Sequence, residues 1–205
     1  MRPLLILTLL VACKGEDTDT GDGAPDSPEP YEVVLGDPEN CAAYDKVKAN
    51  SAAEVDGWAV ARVDPPYLPA QVEQVIIRFD GRTPCTLTVP GTLRVAVGGD
   101  SPPQNPEFLF FGEVTAASEG PATVYTMNMP AMYVDVGERL YIYHQLAGTA
   151  DAMRCVSVCQ DEDKPDEGWF TADAAAPHTY ETLGERGLYG SIAVKIVGQA
   201  PVEIP

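Results

Sequence analysis

The segment VEQVIIRFDG (residues 72–81) decides the fold class. Four of its residues are β-branched, and such side chains pack well on the pleated surface of a sheet. The segment ends at Asp80-Gly81, a pair that is typical of tight turns. We therefore expect residues 72–79 to form a β-strand.

Six further segments have the same character, because each combines strand-forming residues with turn residues at its borders. They are GWAVARV (57–63), TLRVAV (92–97), EFLFFGEV (107–114), ATVYTMNM (122–129), RLYIYHQL (139–146) and SIAVKIV (191–197). The best helical candidate, ENCAAYDKVKANSAAE (39–54), is interrupted and polar. Short strands at this spacing, with 19 prolines in the chain, predict an all-β protein built as an antiparallel β-sandwich. Residues 31–205 are enough for one such domain.

The first thirteen residues have the profile of an export signal. Arg2 precedes an apolar run at residues 4–12, which as a helix reaches roughly 14 Å, half of a ~30 Å hydrocarbon core. The run is therefore too short to span a bilayer and is typical of a cleaved signal peptide. The tetrad Leu10-Val11-Ala12-Cys13 resembles the lipobox of bacterial lipoproteins. The alternative is an ordinary signal peptide with a chance cysteine.

The lipoprotein resemblance implies where the mature chain begins and what holds it. Cleavage would remove residues 1–12 as the signal peptide, and the sulfur of Cys13 would carry a diacylglycerol that binds the lipid bilayer. Acyl chains anchor because each buried methylene contributes about 0.8 kcal/mol. In the family, Asp after the cysteine retains the protein in the inner membrane. Lys14 at this position implies the outer membrane or the cell surface of the envelope.

Residues 13–30 form the predicted tether between the anchor and the domain. The stretch KGEDTDTGDGAPDSPEP (14–30) contains six acids and no Val, Ile, Leu, Met or aromatic residue. Such a segment cannot bury enough apolar surface to fold, so we expect a disordered acidic linker. The whole chain has a formal net charge of −18, which repels phosphate backbones and excludes nucleic acid as a partner.

Three longer stretches resemble the secreted, jelly-roll-like β-sandwich modules that are appended to bacterial hydrolases and surface proteins. They are GWAVARVDPPYLPAQVEQVIIRF, YVDVGERLYIYHQ and YGSIAVKIVG, within residues 57–198. The resemblance implies a jelly-roll-like fold and gives no site residue.

The four cysteines after Cys13 predict disulfides, since an exported protein folds in an oxidising compartment. They are Cys41, Cys85, Cys155 and Cys159, and three connectivities exist. We favour Cys155–Cys159 with Cys41–Cys85. This choice requires a turn within CVSVC, because on a straight strand those two cysteines would lie about 13 Å apart.

Zinc is the alternative role for these thiols, but it usually takes paired cysteines or histidines at close spacing. The two histidines, His144 and His178, lie far apart in the sequence. We therefore expect neither a metal nor another cofactor.

The sequence carries no recognised catalytic motif: G-x-S-x-G, H-E-x-x-H, the P-loop and G-x-G-x-x-G are all absent. His144 shares the apolar phase of its segment with Ile142 and Leu146, which predicts a hydrogen-bonded histidine in or near the core. His178 follows Ala-Ala-Ala-Pro and is expected in an accessible loop. We predict that the chain is not an enzyme. A hydrolase with an unrecognised pair of carboxylates is the alternative.

The candidate ligand-binding residues are aromatic. Trp169 and Phe170 are adjacent, so on a strand they point to opposite faces and one of them can be exposed for sugar stacking. Tyr141 and Tyr143 share one face, the outer one if His144 points inward. These rings predict a non-enzymatic binding or assembly module, with recognition of a glycan or of an envelope protein as the open alternatives. Packing of the same rings against the sandwich would explain them equally well.

Overall fold

The structure is a computed structural model that describes residues 30–48, 57–83, 85–117, 120–149, 151–160, 168–172 and 179–200. The predicted signal peptide, Cys13, the tether up to residue 29 and His178 lie outside the described residues. Pro30, which the sequence assigns to the tether, is the first residue of the first strand.

The secondary structure of the described part is almost entirely β. It consists of thirteen strands and one 3₁₀ turn at Gly184–Arg186. The strands are β1 (Pro30–Leu35), β2 (Tyr44–Val47), β3 (Trp58–Val63), β4 (Ala70–Asp80), β5 (Gly91–Gly98), β6 (Phe110–Val114), β7 (Ala122–Val134), β8 (Arg139–Gln145), β9 (Cys155–Gln160), β10 (Gly168–Thr171), β11 (Glu181–Thr182), β12 (Gly190–Ile192) and β13 (Val194–Gln199). Within these described ranges, no helix is long and apolar enough to cross a membrane.

The strands form two antiparallel sheets. Sheet A has the order β1-β13-β4-β9-β12, with β7 paired to β4 and β2 paired to β9. Sheet B has the order β11-β10-β3-β8-β5-β6. When β1, β3 to β8 and β13 are lettered B to I along the chain, the sheets contain the orders B-I-D-G and C-H-E-F. This is the jelly-roll arrangement of two Greek keys, so the predicted all-β, jelly-roll-like sandwich is confirmed.

The core lies between the two sheets, where alternate residues of the central strands point inward and are buried. On β4 these residues are Val75, Ile77 and Phe79, and on β8 they include Leu140 and Ile142. They belong to one continuous apolar cluster. Removal of this much apolar surface from water is the main stabilising contribution to such a fold.

Each predicted strand segment overlaps an observed strand, but two differences are informative. The segment at 191–197 is divided at Ala193, whose N–H donates to the Ser157 carbonyl at 2.8 Å while its carbonyl accepts from the N–H of Arg78 at 3.0 Å. Residues 39–54 contain β2, which pairs with β9 over residues 44–47. The polar pattern there reflects a strand at the sheet edge.

The four cysteines form two disulfides as expected, but the favoured connectivity is wrong. The bonds are Cys41–Cys159 and Cys85–Cys155, with Cα–Cα distances of 5.7 Å and 5.5 Å. The reason is that CVSVC forms a continuous strand, β9, without the turn that a Cys155–Cys159 bond requires. Each cysteine instead reaches a different neighbouring segment.

Candidate functional site

Trp169 and Phe170 lie on opposite faces of β10, as predicted. Phe170 is 3% exposed and belongs to the core between the sheets. Trp169 is half-buried on the outer face of sheet B, the face turned away from sheet A, and its ring centroid lies 6.2 Å from that of Tyr141. Trp169 is the more accessible of the two rings, although Phe170 also lines a small cleft with Thr171, Ala172, Thr179 and Glu181.

Tyr141 and Tyr143 also lie on the outer face of sheet B, where they pack against other side chains, the second of the two roles expected for them. Both are 0% exposed. The Tyr141 hydroxyl donates to the Gly99 carbonyl at 2.6 Å, and the ring of Phe108 meets Tyr143 edge-on at 5.1 Å. The two tyrosines therefore hold the segment 99–109 against the sheet. Burial raises the pKa of Tyr141 to about 12, so its hydroxyl stays a donor at neutral pH.

An outer aromatic cluster results from this packing. Its fully buried members are Trp58, Val60, Ala96, Tyr141 and Tyr143, with Phe108, Trp169 and Tyr180 packed around them. The Tyr180 hydroxyl donates to the Pro103 carbonyl at 2.8 Å, so Tyr180 also holds the segment 99–109 against the sheet. The segment 99–109 and Tyr180 thus cover part of the outer face.

Strand register places Arg94 one strand from the β6 edge of this face. Trp169 pairs with Val60, Val60 with Tyr143, Tyr143 with Arg94, and Arg94 with Phe111. The five residues form one straight row across β10, β3, β8, β5 and β6.

The guanidinium of Arg94 is surrounded by aromatic rings. Its Cζ lies 4.8 Å from the centroid of Trp58, 4.9 Å from Phe108 and 5.2 Å from Phe111. Its Nε is buried without a hydrogen-bond partner. Among the described residues, no carboxylate lies within ion-pair distance of Arg94. Of the described residues, those that contact this cation present aromatic faces to it.

An open cleft of about 480 Å³ lies where β5 begins and β6 and β8 end, and its lining includes Thr92, two residues before Arg94 on the same face of β5. We call it the β5–β6 cleft; its lining residues are Pro90, Gly91, Thr92, Glu113, Val114, Thr115, Ala116 and Gln145. The Thr92 hydroxyl donates to Gln145 Oε1 at 2.9 Å. Glu113 is exposed at the rim. The cleft therefore offers a hydroxyl, an amide and a carboxylate between apolar walls, the usual composition of a site for a small polar ligand.

Arg154 lies on the core side of the cleft and holds two of its walls in place through hydrogen bonds. It is 0% exposed, and its Nε donates to the Val89 carbonyl at 2.7 Å. Its Nη2 donates to the carbonyls of Leu87 at 3.2 Å and Thr115 at 3.4 Å. Since Thr115 and the residues after Val89 line the cleft, these bonds set the separation of its walls.

His144 lies next to Arg154 in the core, as predicted from its phase on the strand. It is 1% exposed, and its ring centroid is 4.5 Å from that of Phe79. The expected hydrogen bond is wrong, because neither ring nitrogen has a partner among the described residues, where apolar side chains and Arg154 surround the ring. Burial and the nearby Arg154 charge lower the pKa of His144 well below its usual range. The imidazole is therefore neutral at physiological pH.

Gly91 separates the cleft from these two basic side chains. A Cβ at this position would lie 3.8 Å from both Arg154 Cγ and His144 Cε1, in ordinary van der Waals contact. Because Gly91 has no side chain, the layer of atoms between the cleft and these two side chains is thin at this point.

Sequence reasoning missed Arg94 and the cleft residues Thr92, Glu113 and Gln145. The alternation in TLRVAV puts Thr92 and Arg94 on one polar face, but this pattern is equally typical of solvent-facing residues. Arg94 and Phe111 become neighbours only through the pairing of β5 with β6.

Within the described ranges, no group of three or more His, Cys, Asp or Glu side chains is arranged to hold a metal ion. The chain matches no protein-family model, no curated protein and no solved structure.

Proposed function

We propose that this chain is a lipid-anchored, non-enzymatic binding module of the bacterial cell envelope, and that its ligand occupies the β5–β6 cleft. The anchor is Cys13, supported by the lipobox-like tetrad and the short apolar leader. The acidic segment 14–30 holds the domain away from the bilayer.

The observation that carries the binding role is the combination of volume and lining in the cleft. At about 480 Å³ it falls within the range of about 300–1,000 Å³ that is common for ligand sites. Its polar groups are held in place, because Thr92 and Gln145 bond each other and Arg154 fixes the walls. A site whose groups are already oriented loses less conformational entropy when a ligand binds.

The test is a steric block of the cleft. Thr92→Trp would fill it with an indole, whereas Thr126→Trp adds the same side chain at an exposed position of β7 in the other sheet. The full-length mature protein, extracted in detergent, is tested for binding to arrayed envelope glycans and to blotted envelope proteins. Thermal unfolding checks that both variants fold.

We expect the wild type and Thr126→Trp to bind one of these probes equally, and Thr92→Trp to bind it at least tenfold more weakly. Equal binding by both variants would exclude the cleft as the site. Absence of binding to every probe would contradict the binding role.

A further inference from the structure

We propose that the ligand of the β5–β6 cleft is a saccharide carrying a carboxylate, and that the guanidinium of Arg94 binds this carboxylate. The inference rests on the proposed binding role of the cleft and names the chemical class of its ligand.

The first argument is that Arg94 has no anionic partner among the residues that the structure describes. The chain has 31 acidic residues and 13 basic ones, and four of the seven described arginines form ion pairs, namely Arg62, Arg82, Arg139 and Arg186. Two others, Arg78 and Arg154, donate to backbone carbonyls. Glu113 is opposite Thr92 and is thus a diagonal neighbour of Arg94 across β5 and β6. The described residues nevertheless include no ion pair to Arg94. The charge remains available to an external anion.

The second argument is that Arg94 is held in place for such an anion. Three rings within 4.8–5.2 Å of its Cζ restrict the guanidinium. A planar guanidinium binds a carboxylate through two parallel hydrogen bonds. Because the side chain is already ordered, little additional entropy is lost when the bonds form.

The third argument concerns the rest of the ligand. Thr92 and Arg94 are two residues apart on one face of β5, which places them about 7 Å apart along the strand. Thr92, Gln145 and Glu113 offer hydrogen-bond partners for hydroxyl groups. Phe111, 53% exposed beside Arg94, offers an apolar ring face. Hydroxyl groups, an apolar ring surface and one carboxylate occur together in a uronic acid saccharide.

The acidic surface restricts which anions can bind. At physiological salt, charges are screened over about 8 Å, so a single carboxylate in contact with Arg94 is attracted despite the net charge of −18. A densely charged polymer places further anions against the acidic surface and is repelled. The site therefore suits a short uronate rather than a polysulfated glycan.

The test compares trigalacturonate with its neutral, carboxyl-reduced counterpart by isothermal titration calorimetry. The protein is the full-length mature chain in detergent, as wild type, Arg94→Gln and Arg62→Gln. Arg62 is the matched control, because it lies on the same sheet face but is paired with Asp64 at 3.5 Å. Thermal unfolding establishes that each variant is folded.

We expect the wild type and Arg62→Gln to bind trigalacturonate at least tenfold more tightly than the neutral trisaccharide. Arg94→Gln should bind both equally weakly, and Thr92→Trp should bind neither. Acetate should not compete below millimolar concentrations, since it makes none of the cleft contacts.

Equal affinity of the wild type for both trisaccharides would overturn the role of Arg94 and leave the cleft as a binding site. Absence of saccharide binding, together with Thr92-sensitive binding to an envelope protein, would overturn the ligand class and leave the proposed function. Competition by acetate as strong as by trigalacturonate would show a simple carboxylate site and overturn the saccharide.

Discussion

Arg154 and His144 are buried basic side chains directly behind the β5–β6 cleft. Arg154 is compensated by three backbone carbonyls and by the face of Phe79, whose centroid is 4.8 Å from its Cζ. A buried charge is tolerated only when it is well hydrogen-bonded. His144 avoids the same cost by remaining neutral, because its pKa is lowered by burial and by the charge of Arg154.

The neutral state of His144 predicts a pH-dependent stability. In the unfolded chain a histidine titrates near pH 6.5, whereas in the folded protein its pKa is well below this value. The unfolded state therefore binds more protons below pH 6.5, and the contribution of His144 to stability decreases as the pH falls. The slope is at most about 1.4 kcal/mol per pH unit.

Urea unfolding at pH 7 and pH 5 measures this effect. Between these values we expect the wild type to lose roughly 2 kcal/mol more than His144→Phe, whose side chain cannot take up a proton. His178→Gln is the control and should behave as the wild type. If the wild type and His144→Phe lose the same free energy, His144 is not a buried neutral group.

At the scale of strands, side-chain alternation explains what the sequence could predict. A period of two assigns faces, so it correctly put His144 in the core and separated Trp169 from Phe170. The same period gives no information on what packs against a face. Burial of Tyr141 and Tyr143 depends on the segment 99–109, which folds back so that the Leu109 N–H bonds the Val95 carbonyl at 2.8 Å.

The Arg94 site could not be predicted from the sequence, for a related reason. Its three rings come from β3, from the covering segment and from β6, and only pairing and loop geometry bring them together. The predicted connectivity of the cysteines was wrong for the same reason. It depends on whether CVSVC forms a turn or continues as the strand β9. Local residue types favour neither outcome.

The two disulfides differ in accessibility, which predicts their order of reduction. Cys85 and Cys155 are 5% and 0% exposed, whereas Cys41 and Cys159 are both half-buried near the end of β9. Thiol–disulfide exchange requires access of the attacking thiolate. We expect the Cys41–Cys159 bond to be reduced first in the folded protein.

Alkylation after brief exposure to dithiothreitol, followed by peptide mass mapping, measures this order. Cys41 and Cys159 should be labelled before Cys85 and Cys155, and the untreated protein should give the two observed cross-linked peptide pairs. Earlier labelling of Cys155, or a Cys155–Cys159 cross-link, would contradict the structure.

At the scale of the whole molecule, the proposed anchor is connected to one sheet, and the proposed site lies on the other. The chain enters the domain through Pro30 at the start of β1, in sheet A. The cleft lies on the outer face of sheet B. A tether attached to sheet A leaves that face accessible.

The net charge of −18 makes a covalent anchor physically necessary in this account, because an acidic surface does not adsorb to anionic lipids. Two acyl chains or more give stable attachment where a single chain does not. The proposed function therefore depends on the chemistry of Cys13.

Intact mass spectrometry of the mature protein from the membrane fraction tests this dependence directly, with metabolic labelling by a fatty-acid probe. The account predicts that the mature wild-type chain begins at Cys13, carries a diacylglyceryl thioether and takes up the probe. A Cys13→Ser variant should be unlabelled and should no longer be found in membranes. A mature wild-type chain without lipid, or one that retains residues 1–12, would contradict it.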